Sequence, residues 1–295
     1  MTTVKTDIYQ EVTDRIIEVM EKGNLPWSRE WDDKNSLFLD HYNASTGNRY
    51  RGINLLLLAS AADDRGFTEN KWLTFKQAKA LGGSVRKGER GTRIVFWKFF
   101  EQEQEDAQES QSDDSKKNRM AFAKWFTVFN VQQCDGLDEN GFVPAQNGEE
   151  YTDIDAFILA TGAPIRHGGN KAYCSRATGH IQMPEREQFK STDAYYATLL
   201  HELTHWSGHP PRLNREFGKR FGDEAYAFEE LVAELGAAFS SAGFGIHYEQ
   251  QHAAYLKSWL TVLKNDKRAI FTAASKAQQA ADFLASFSLQ TQQAA

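Results

Sequence analysis

A histidine pair separated by four positions has the clearest chemistry in this sequence. The segment His201-Glu-Leu-Thr-His205 lies on a predicted helix whose residues 194–203 are mostly apolar, as in a buried helix. Because residues i and i+4 lie on one face of a helix, both imidazoles can reach one metal ion. Glu202 stands beside the first histidine, where its carboxylate can accept a proton from a water that the ion activates. The motif predicts a divalent metal site with ligands His201 and His205 and Glu202 as the catalytic base.

The third ligand must come from elsewhere in the chain. The longer pattern HExxHxxGxxH is not completed, because Pro211 stands at its last position and His209 comes two residues early. The next candidates are Glu229 and Glu230 on a predicted helix, with 24 residues between His205 and Glu230. Both remain open at this point, and Glu230 is favoured because of the residues that follow it.

The residues after Glu230 resemble those after the ligand glutamate of glutamate-type zincins, a class of metallopeptidases. In that class a small residue and then a polar residue follow about one turn later, as Ala233 and Glu234 do here. The resemblance implies that Glu234 accepts a hydrogen bond from His205. Two histidines and a glutamate suit several divalent ions, so Zn²⁺ is the expected ion and Mn²⁺ is a second candidate.

A strand and two tyrosines are candidates for handling a substrate of such a site. Residues 172–183 predict a β-hairpin just before the metal helix. In zincins a strand at this place often runs alongside the cleft and can pair with an extended peptide. Tyr173 and Tyr226 are candidate hydrogen-bond donors to an oxyanion, and each residue type is also common in a protein core.

The composition of the 295-residue chain is that of an ordinary globular protein, with 41% hydrophobic and 25% charged residues. The longest purely apolar run, residues 55–59, is far shorter than the roughly 20 residues that span a bilayer. Residues 1–14 show no secretory signal, and the two cysteines, Cys134 and Cys174, fit a reducing compartment. We therefore expect a cytoplasmic protein that does not enter a membrane.

The formal net charge of −6 is distributed unevenly. Residues 1–100 contain 16 lysines and arginines against 13 aspartates and glutamates, whereas residues 101–118 contain 2 against 7. This second segment has one alanine as its single apolar residue, and such a composition predicts a disordered loop. Residues 94–100 and 120–131 flank it and predict the two strands of a hairpin.

A two-domain α+β organisation follows from these patterns. A connector of low hydrophobicity at residues 132–150 predicts a boundary near 135–150, between a domain of residues 1–135 and a domain of residues 150–295. The first domain is predicted to be α+β, and the second mostly helical with a small β-sheet. Helices are predicted at residues 7–22, 52–64, 74–81, 152–161, 191–205, 223–242, 248–264 and 266–287.

Aromatic residues interleaved with arginine and asparagine characterise the first domain. Five of the seven tryptophans lie before residue 130, and Trp97 and Trp125, on predicted strands, are expected in the core. Aromatic rings in loops can stack on unpaired bases, and arginines can contact the phosphates, as in proteins that bind single-stranded DNA. The candidate DNA contacts are Trp27, Trp31, Arg49, Tyr50, Asn54, Trp72, Arg86 and Lys87.

Several of these segments resemble a known family, the ArdC-type antirestriction proteins. The resemblance rests on Asn43-Ala-Ser-Thr-Gly47, Tyr50-Arg-Gly-Ile-Asn54, Trp72-Leu-Thr-Phe75, Gly82-Gly83, Arg86-Lys-Gly-Glu89, residues 201–209 and residues 226–235. The N-terminal segments are also similar to plasmid primases of the TraC type. The resemblance implies a single-stranded-DNA-binding domain joined to a zincin-like metallopeptidase domain. It further implies a conjugative-plasmid protein that protects incoming DNA from type I restriction, with single-stranded DNA and a type I restriction enzyme subunit as candidate partners.

Two other functions compete with antirestriction by DNA binding. The chain could be a metalloprotease that cleaves a host protein, with the N-terminal domain as a targeting module. It could also be a DNA coat with a structural metal, but a structural site needs no carboxylate at Glu202 and usually has four protein ligands. The aromatic loops argue against the plain protease.

Overall fold

A computed structural model describes residues 7–28, 39–101, 119–145, 153–216, 223–246 and 255–293. The helices within these ranges are α1 (Ile8–Glu21), α2 (Ile53–Arg65), α3 (Phe75–Ala80), α4 (Ile154–Ala160), α5 (Thr192–Ser207), α6 (Glu224–Gly243), α7 (Leu256–Asn265) and α8 (Ala269–Gln293). The strands are β1 (Tyr42–Asn43), β2 (Lys71–Leu73), β3 (Ser84–Val85), β4 (Thr92–Glu101), β5 (Arg119–Asn130), β6 (Cys134–Asp135), β7 (Ile165–His167), β8 (Tyr173–Cys174) and β9 (Ile181–Met183). The fold is α+β, as the sequence predicts.

Local sequence signals explain where several helices begin. The Asp7 carboxylate accepts hydrogen bonds from the backbone N–H groups of Tyr9 and Gln10 at the start of α1. The Ser191 hydroxyl accepts from the backbone N–H of Ala194 at 3.0 Å, and it fixes the start of the metal helix α5. The predicted helix at 248–264 corresponds to α7, which begins at Leu256 within the described residues.

The start of α4 differs from the prediction. The predicted helix at residues 152–161 begins at Ile154, and the Asp153 carboxylate caps it by accepting hydrogen bonds from the backbone N–H groups of Asp155 and Ala156. Thr152 lies outside the described residues. An aspartate directly before the first turn can accept these bonds without a reciprocal bond from a side chain three residues later. Its negative charge also interacts favourably with the positive end of the helix dipole.

A long hairpin dominates the N-terminal sheet. Strands β4 and β5 pair antiparallel from Thr92 opposite Val128 to Glu101 opposite Arg119, which confirms the predicted hairpin. The sheet continues through β2 and β1 in the order β1-β2-β5-β4, and β3 pairs with β6 in a separate two-stranded sheet. The acidic segment predicted as a disordered tip, residues 101–118, lies outside the described residues after Glu101.

A small sheet precedes the metal helix in the C-terminal part. Its order is β7-β9-β8, with β7 parallel and β8 antiparallel to β9, and the pair β8–β9 confirms the predicted hairpin. Strand β8 forms one edge of this sheet and packs beside α5. Among the described helices, none combines the length and apolar composition needed to cross a bilayer.

The largest hydrophobic core is shared by both ends of the chain. Helix α1 packs against α7, and its Ile16 belongs to the same buried cluster as Trp259 and Ile270. Trp27 meets Trp259 edge to face, with ring centroids 6.0 Å apart. Thr13 adds a hydrogen bond from its hydroxyl to the carbonyl of Lys267 at 2.7 Å. The two predicted domains are therefore packed against each other through a continuous core, and the boundary at 135–150 stays a prediction.

Candidate metal centre and DNA-binding surface

Helix α5 presents the two histidines of the motif on one buried face. Both His201 and His205 are buried, and their ring centroids lie 4.8 Å apart at an interplanar angle of 80°. The face is held in the core by apolar neighbours on the same helix, among them Leu200 and Leu203. The structure thus confirms the prediction that a spacing of four residues places both imidazole rings on one face of the helix.

Helix α6 supplies the carboxylate that faces both rings. Glu230 Oε2 lies 3.7 Å from His201 Nε2, and Glu230 Oε1 lies 3.5 Å from His205 Nε2. One ligand atom from each of the three residues falls within 4.8 Å of the others, and this is the group of possible metal ligands found among the described residues. The three residues can reach a single ion with the two imidazole and one carboxylate donors that zinc sites use.

Glu229 occupies a different position from Glu230. Its Oε1 lies 3.2 Å from His205 Nδ1, the ring nitrogen away from Glu230. The buried Arg215 also binds it, from Nη2 to Oε1 at 2.8 Å and from Nε to Oε2 at 3.0 Å. This arrangement favours Glu230 as the third ligand, and it makes Glu229 the group that orients His205.

The predicted partner of Glu234 needs correction. The sequence suggested a hydrogen bond with His205, but Glu234 Oε2 lies 3.6 Å from Nδ1 of His201. Residues later in α6 lie opposite residues earlier in α5, so Glu234 reaches the first histidine and Glu229 the second. Each imidazole therefore has a carboxylate on its Nδ1 side and the shared Glu230 on its Nε2 side.

Burial and charge make this cluster a site for a cation. Burial opposes a charge on the His205 ring, but Glu229 and Glu230 outweigh it and raise the pKa of His205 to about 9. Burial likewise opposes ionisation of Glu230, yet hydrogen bonds from both imidazoles hold its pKa well below the usual range. Four buried carboxylates, Glu202, Glu229, Glu230 and Glu234, share the site with the guanidinium of Arg215. A divalent cation on the Nε2 side would balance this excess of negative charge.

Two tyrosines border the same place. Tyr226 Oη lies 3.2 Å from Tyr255 Oη. Burial, with added contributions from Tyr255 and Glu230, raises the pKa of Tyr226, so its phenol keeps the proton. The geometry thus brings predicted Tyr226 to the metal centre and adds Tyr255, which no motif marks in the sequence. The second predicted tyrosine, Tyr173, is exposed on β8 next to His180.

Cys174 and His209 form a separate contact at the edge of the site. His209 Nε2 lies 3.6 Å from the sulfur of Cys174, and His209 is not in the group of three possible ligands. Burial raises the pKa of Cys174 to about 12, and the Glu202 carboxylate adds to this shift. Cys174 therefore remains a neutral thiol at neutral pH.

A glycine lets α5 and α6 approach at the metal centre. A Cβ on Gly236 would lie 2.6 Å from Cγ2 and 2.8 Å from Oγ1 of Thr204. Thr204 is fully buried on α5, between the two histidines. The absence of a side chain at Gly236 therefore allows α6, which carries Glu230, to lie close to α5 beside Thr204.

Gly236→Ala is expected to destabilise the protein by about 1–3 kcal/mol, since overpacking a buried helix contact costs that much. It should also weaken metal binding, because the added methyl group would push α6, and Glu230 with it, away from α5. Denaturant unfolding and metal titration measure the two effects. The double variant Gly236→Ala/Thr204→Ala removes the clashing atoms and should recover most of both. Equal losses in the single and double variants would contradict this account.

Two predicted DNA contacts, Trp27 and Trp72, need correction. Trp27 is 1% and Trp72 0% exposed, so neither ring can stack on a base in this fold. Trp72 instead donates from Nε1 to His41 Nδ1 at 3.1 Å. The amide of Asn54 bonds both backbone groups of Val95, at 2.8 Å each, and ties α2 to β4. The two tryptophans pack within the core, whereas Asn54 is half-buried and stays a predicted DNA contact.

The remaining predicted contacts are at least partly accessible to solvent or lie outside the described residues. Arg49 forms an ion pair with Asp40, and Tyr50 is half-buried. Arg86 forms ion pairs with Glu89 and Asp135 on the surface. Lys87 is exposed, and Trp31 lies outside the described residues. Arg49, Tyr50, Arg86, Lys87 and Trp31 remain predicted DNA contacts.

An exposed aromatic pair on the long hairpin was not predicted. Phe96 on β4 is 55% exposed and Phe126 on β5 is 38% exposed, with ring centroids 5.5 Å apart. The ammonium of Lys124 lies 5.8 Å from the centre of the Phe126 ring. Sequence reasoning assigned Trp97 and Trp125 of these strands to the core and made no prediction for Phe96 or Phe126. The alternation Lys124-Trp125-Phe126 was the available signal, because it places Phe126 and Lys124 on the same face of the strand.

The comparisons with known families cover most of the chain. Residues 6–129 match the family described as the N-terminal domain of anti-restriction factor ArdC. Residues 152–276 match the family described as zincin-like metallopeptidase. The second match includes all three possible metal ligands and supports a divalent metal site in this domain.

Individual relatives extend this similarity to the whole chain. The uncharacterized protein y4eC of Sinorhizobium fredii is 42% identical over 281 residues, which are 95% of this chain and 92% of y4eC. A DNA primase TraC of Escherichia coli is 38% identical over 97% of this chain, but the match spans only 28% of the primase. The chain thus corresponds to a minor part of that enzyme.

Two solved structures of the antirestriction protein ArdC from plasmid R388 share the fold. The metal-free structure has a TM-score of 0.79 and 40% identity, and the match covers 97% of this chain and 99% of that one. The Mn(II)-bound structure has a TM-score of 0.76 and 41% identity, with coverage of 96% and 98%. A relative of nearly the same length therefore binds a divalent ion.

Proposed function

Because this chain belongs to the ArdC antirestriction family, we propose that it binds single-stranded DNA and protects incoming plasmid DNA from type I restriction. The protection we propose takes place in the cytoplasm of the cell that receives or donates a conjugative plasmid. A subunit of a type I restriction enzyme is the second proposed partner. The TraC relatives are DNA primases, and their similarity to this chain supports contact with DNA.

The observation that carries this proposal is the exposed pair Phe96–Phe126 with Lys124 beside it. Exposed aromatic rings on a sheet provide faces on which unpaired bases stack, worth about 1–3 kcal/mol for each base. A lysine next to the rings can contact the phosphate that follows a stacked base. Paired bases of a duplex are already stacked on each other, so this surface favours single strands.

Phe126→Ala is expected to weaken binding of a labelled single-stranded oligonucleotide about 5- to 100-fold, which corresponds to the loss of one stacked base. Fluorescence anisotropy of the full-length protein measures this, since the shared core ties residues 1–135 to the C-terminal helices. Affinity should fall steeply with salt, because bound phosphates release counterions.

The matched control is Phe75→Ala. Phe75 is also an exposed phenylalanine, but it contacts Phe129, whose side chain is on the opposite face of β5 from Phe126. Its replacement should leave the affinity unchanged. Equal binding of single- and double-stranded DNA by the wild type, or equal effects of the two substitutions, would count against the proposal.

We further propose that the divalent ion is held by His201, His205 and Glu230 and that Zn²⁺ is the resident ion, with Mn²⁺ as the alternative. Two imidazoles and one carboxylate are the donor set of catalytic zinc sites. The bound ion would supply Lewis acidity to a water or a carbonyl group. Glu202 would accept the proton, and the phenols of Tyr226 and Tyr255 would donate hydrogen bonds to the developing oxyanion.

A second candidate function is peptide hydrolysis at this centre. Strand β8 supports it, because within the described residues β8 pairs with β9 on one side only and lies beside α5. An extended peptide could pair with the open edge and pass the metal ligands. In that case the N-terminal part of the chain would bring a host protein or DNA to the site. Replacement of Glu202 distinguishes this function from protection by DNA binding.

A further inference from the structure

A cavity of about 430 Å³ lies where residues 39–55 meet helices α6 and α8. Its volume falls within the roughly 300–1,000 Å³ of pockets that take small ligands. None of the three possible metal ligands lines it, and neither does the Phe96–Phe126 pair. The cavity is therefore separate from the metal centre and from the Phe96–Phe126 pair, whereas two predicted DNA contacts, Arg49 and Tyr50, line it.

The inner part of the cavity is apolar and aromatic. Leu55, Phe157 and Phe239 line it and are buried. Phe244 also lines it and meets Phe157 edge to face, with ring centroids 5.0 Å apart at 71°. Such walls offer both the face and the edge of aromatic rings, which suits a flat aromatic ligand.

The rim carries equal numbers of opposite charges. Arg51 pairs with Asp282, and these side chains are 58% and 49% exposed, so the cavity opens to solvent there. Arg49 pairs with Asp40 on the same rim. Because the four charges cancel, this rim attracts a simple anion only weakly. A ring that carries both donors and acceptors finds a partner for each.

Neutral polar groups add further hydrogen-bonding capacity. Ser240 lines the cavity, and its buried hydroxyl has no hydrogen-bond partner among the described residues. His41 also lines it and accepts from Trp72 at Nδ1, so the proton of the neutral ring is on Nε2. A buried hydroxyl without a partner costs free energy, which a ligand with a polar edge would recover.

We propose that this cavity takes one unpaired nucleobase of bound single-stranded DNA. The base would lie against the aromatic walls, with its polar edge toward the rim carboxylates and guanidinium groups. The five N–H donors of Arg51 allow this side chain to contact an adjoining phosphate while it pairs with Asp282. This inference rests on the proposed single-strand binding and adds that both halves of the chain contact the DNA.

Ala281→Phe tests the proposal because Ala281 lines the cavity on α8 and a phenyl ring there occupies the space for the base. We expect the affinity for a single-stranded oligonucleotide, measured by anisotropy, to fall by a factor of about ten or more. The matched control is Gln279→Phe on the exposed face of the same helix, which should bind as the wild type does. Wild-type affinity in Ala281→Phe would overturn the cavity proposal, whereas no single-strand binding by the wild type would overturn the proposed function itself.

A measurement on the unaltered protein makes the test independent of folding in the variant. Millimolar deoxyadenosine or deoxycytidine should raise the melting temperature of the wild type, since a ligand that binds the native state stabilises it. Deoxyribose 5-phosphate, which lacks the base, should not. An equal shift with deoxyribose phosphate, or no shift with any nucleoside, would overturn the assignment to a base. If circular dichroism shows that Ala281→Phe is unfolded, Ala285→Phe fills the same cavity from the next turn.

Discussion

Replacing His205 with alanine should leave the protein without its bound divalent ion. The substitution removes one of three proposed ligands and also leaves the buried Glu229 without its imidazole neighbour at 3.2 Å. His201→Ala and Glu230→Ala should have the same result, because two ligands do not hold an ion against dialysis. Elemental analysis of the purified, dialysed variants measures the metal content.

Two other substitutions at the centre should retain the ion. Glu202→Ala should keep it because Glu202 is the proposed base, and His209→Ala should keep it because His209 contacts Cys174 instead. Glu229→Ala should weaken binding about 10–100-fold without abolishing it, as expected for a residue that orients a ligand. Full metal content in Glu230→Ala together with its loss in Glu229→Ala would reverse the assignment of the third ligand.

Glu202→Ala should separate DNA protection from any peptide hydrolysis. Loss of a general base costs about 10²–10⁴ in rate, so hydrolysis should nearly cease. Protection by occupation of single strands needs no proton transfer, and Phe96, Phe126 and Lys124 belong to a different part of the fold. We therefore expect the variant to protect transferred DNA, measured as plasmid establishment in a recipient with a type I restriction system.

The control for this experiment is Glu187→Ala, which removes an exposed glutamate outside the site. It should protect like the wild type. If Glu202→Ala falls to the level of an empty vector while its abundance and metal content match the wild type, protection depends on catalysis and the peptidase function is the correct one.

The metal helix could be predicted from sequence because its signals are local. Ser191 begins α5, and the spacing of His201 and His205 alone puts both on one face. Glu230 could be favoured over Glu229 by the residues that follow it. The partner of Glu234 could not be derived, because which end of α5 it meets depends on how two helices cross, and the sequence of one helix does not contain that information.

The accessibility of the aromatic residues, by contrast, could not be predicted from the sequence. Residue type predicts that a tryptophan can stack, but not whether its ring is accessible. Trp27 is buried because Trp259, more than two hundred residues away, covers it. Phe96 and Phe126 are exposed because α2 packs against Ile94 and Val128 and does not cover the next positions on that face. Burial in both cases is set by distant segments.

The packing of α1 on α7 and α8 has a consequence for the order of events during synthesis. Helix α1 leaves the ribosome well before its packing partners, because the Thr13–Lys267 hydrogen bond joins residues 254 positions apart. At roughly 5–20 residues per second, the apolar face of α1 waits on the order of ten seconds to a minute for α7 and α8. The nascent chain therefore carries α1 with its apolar face exposed until α7 and α8 have been made, and only then can the shared core close.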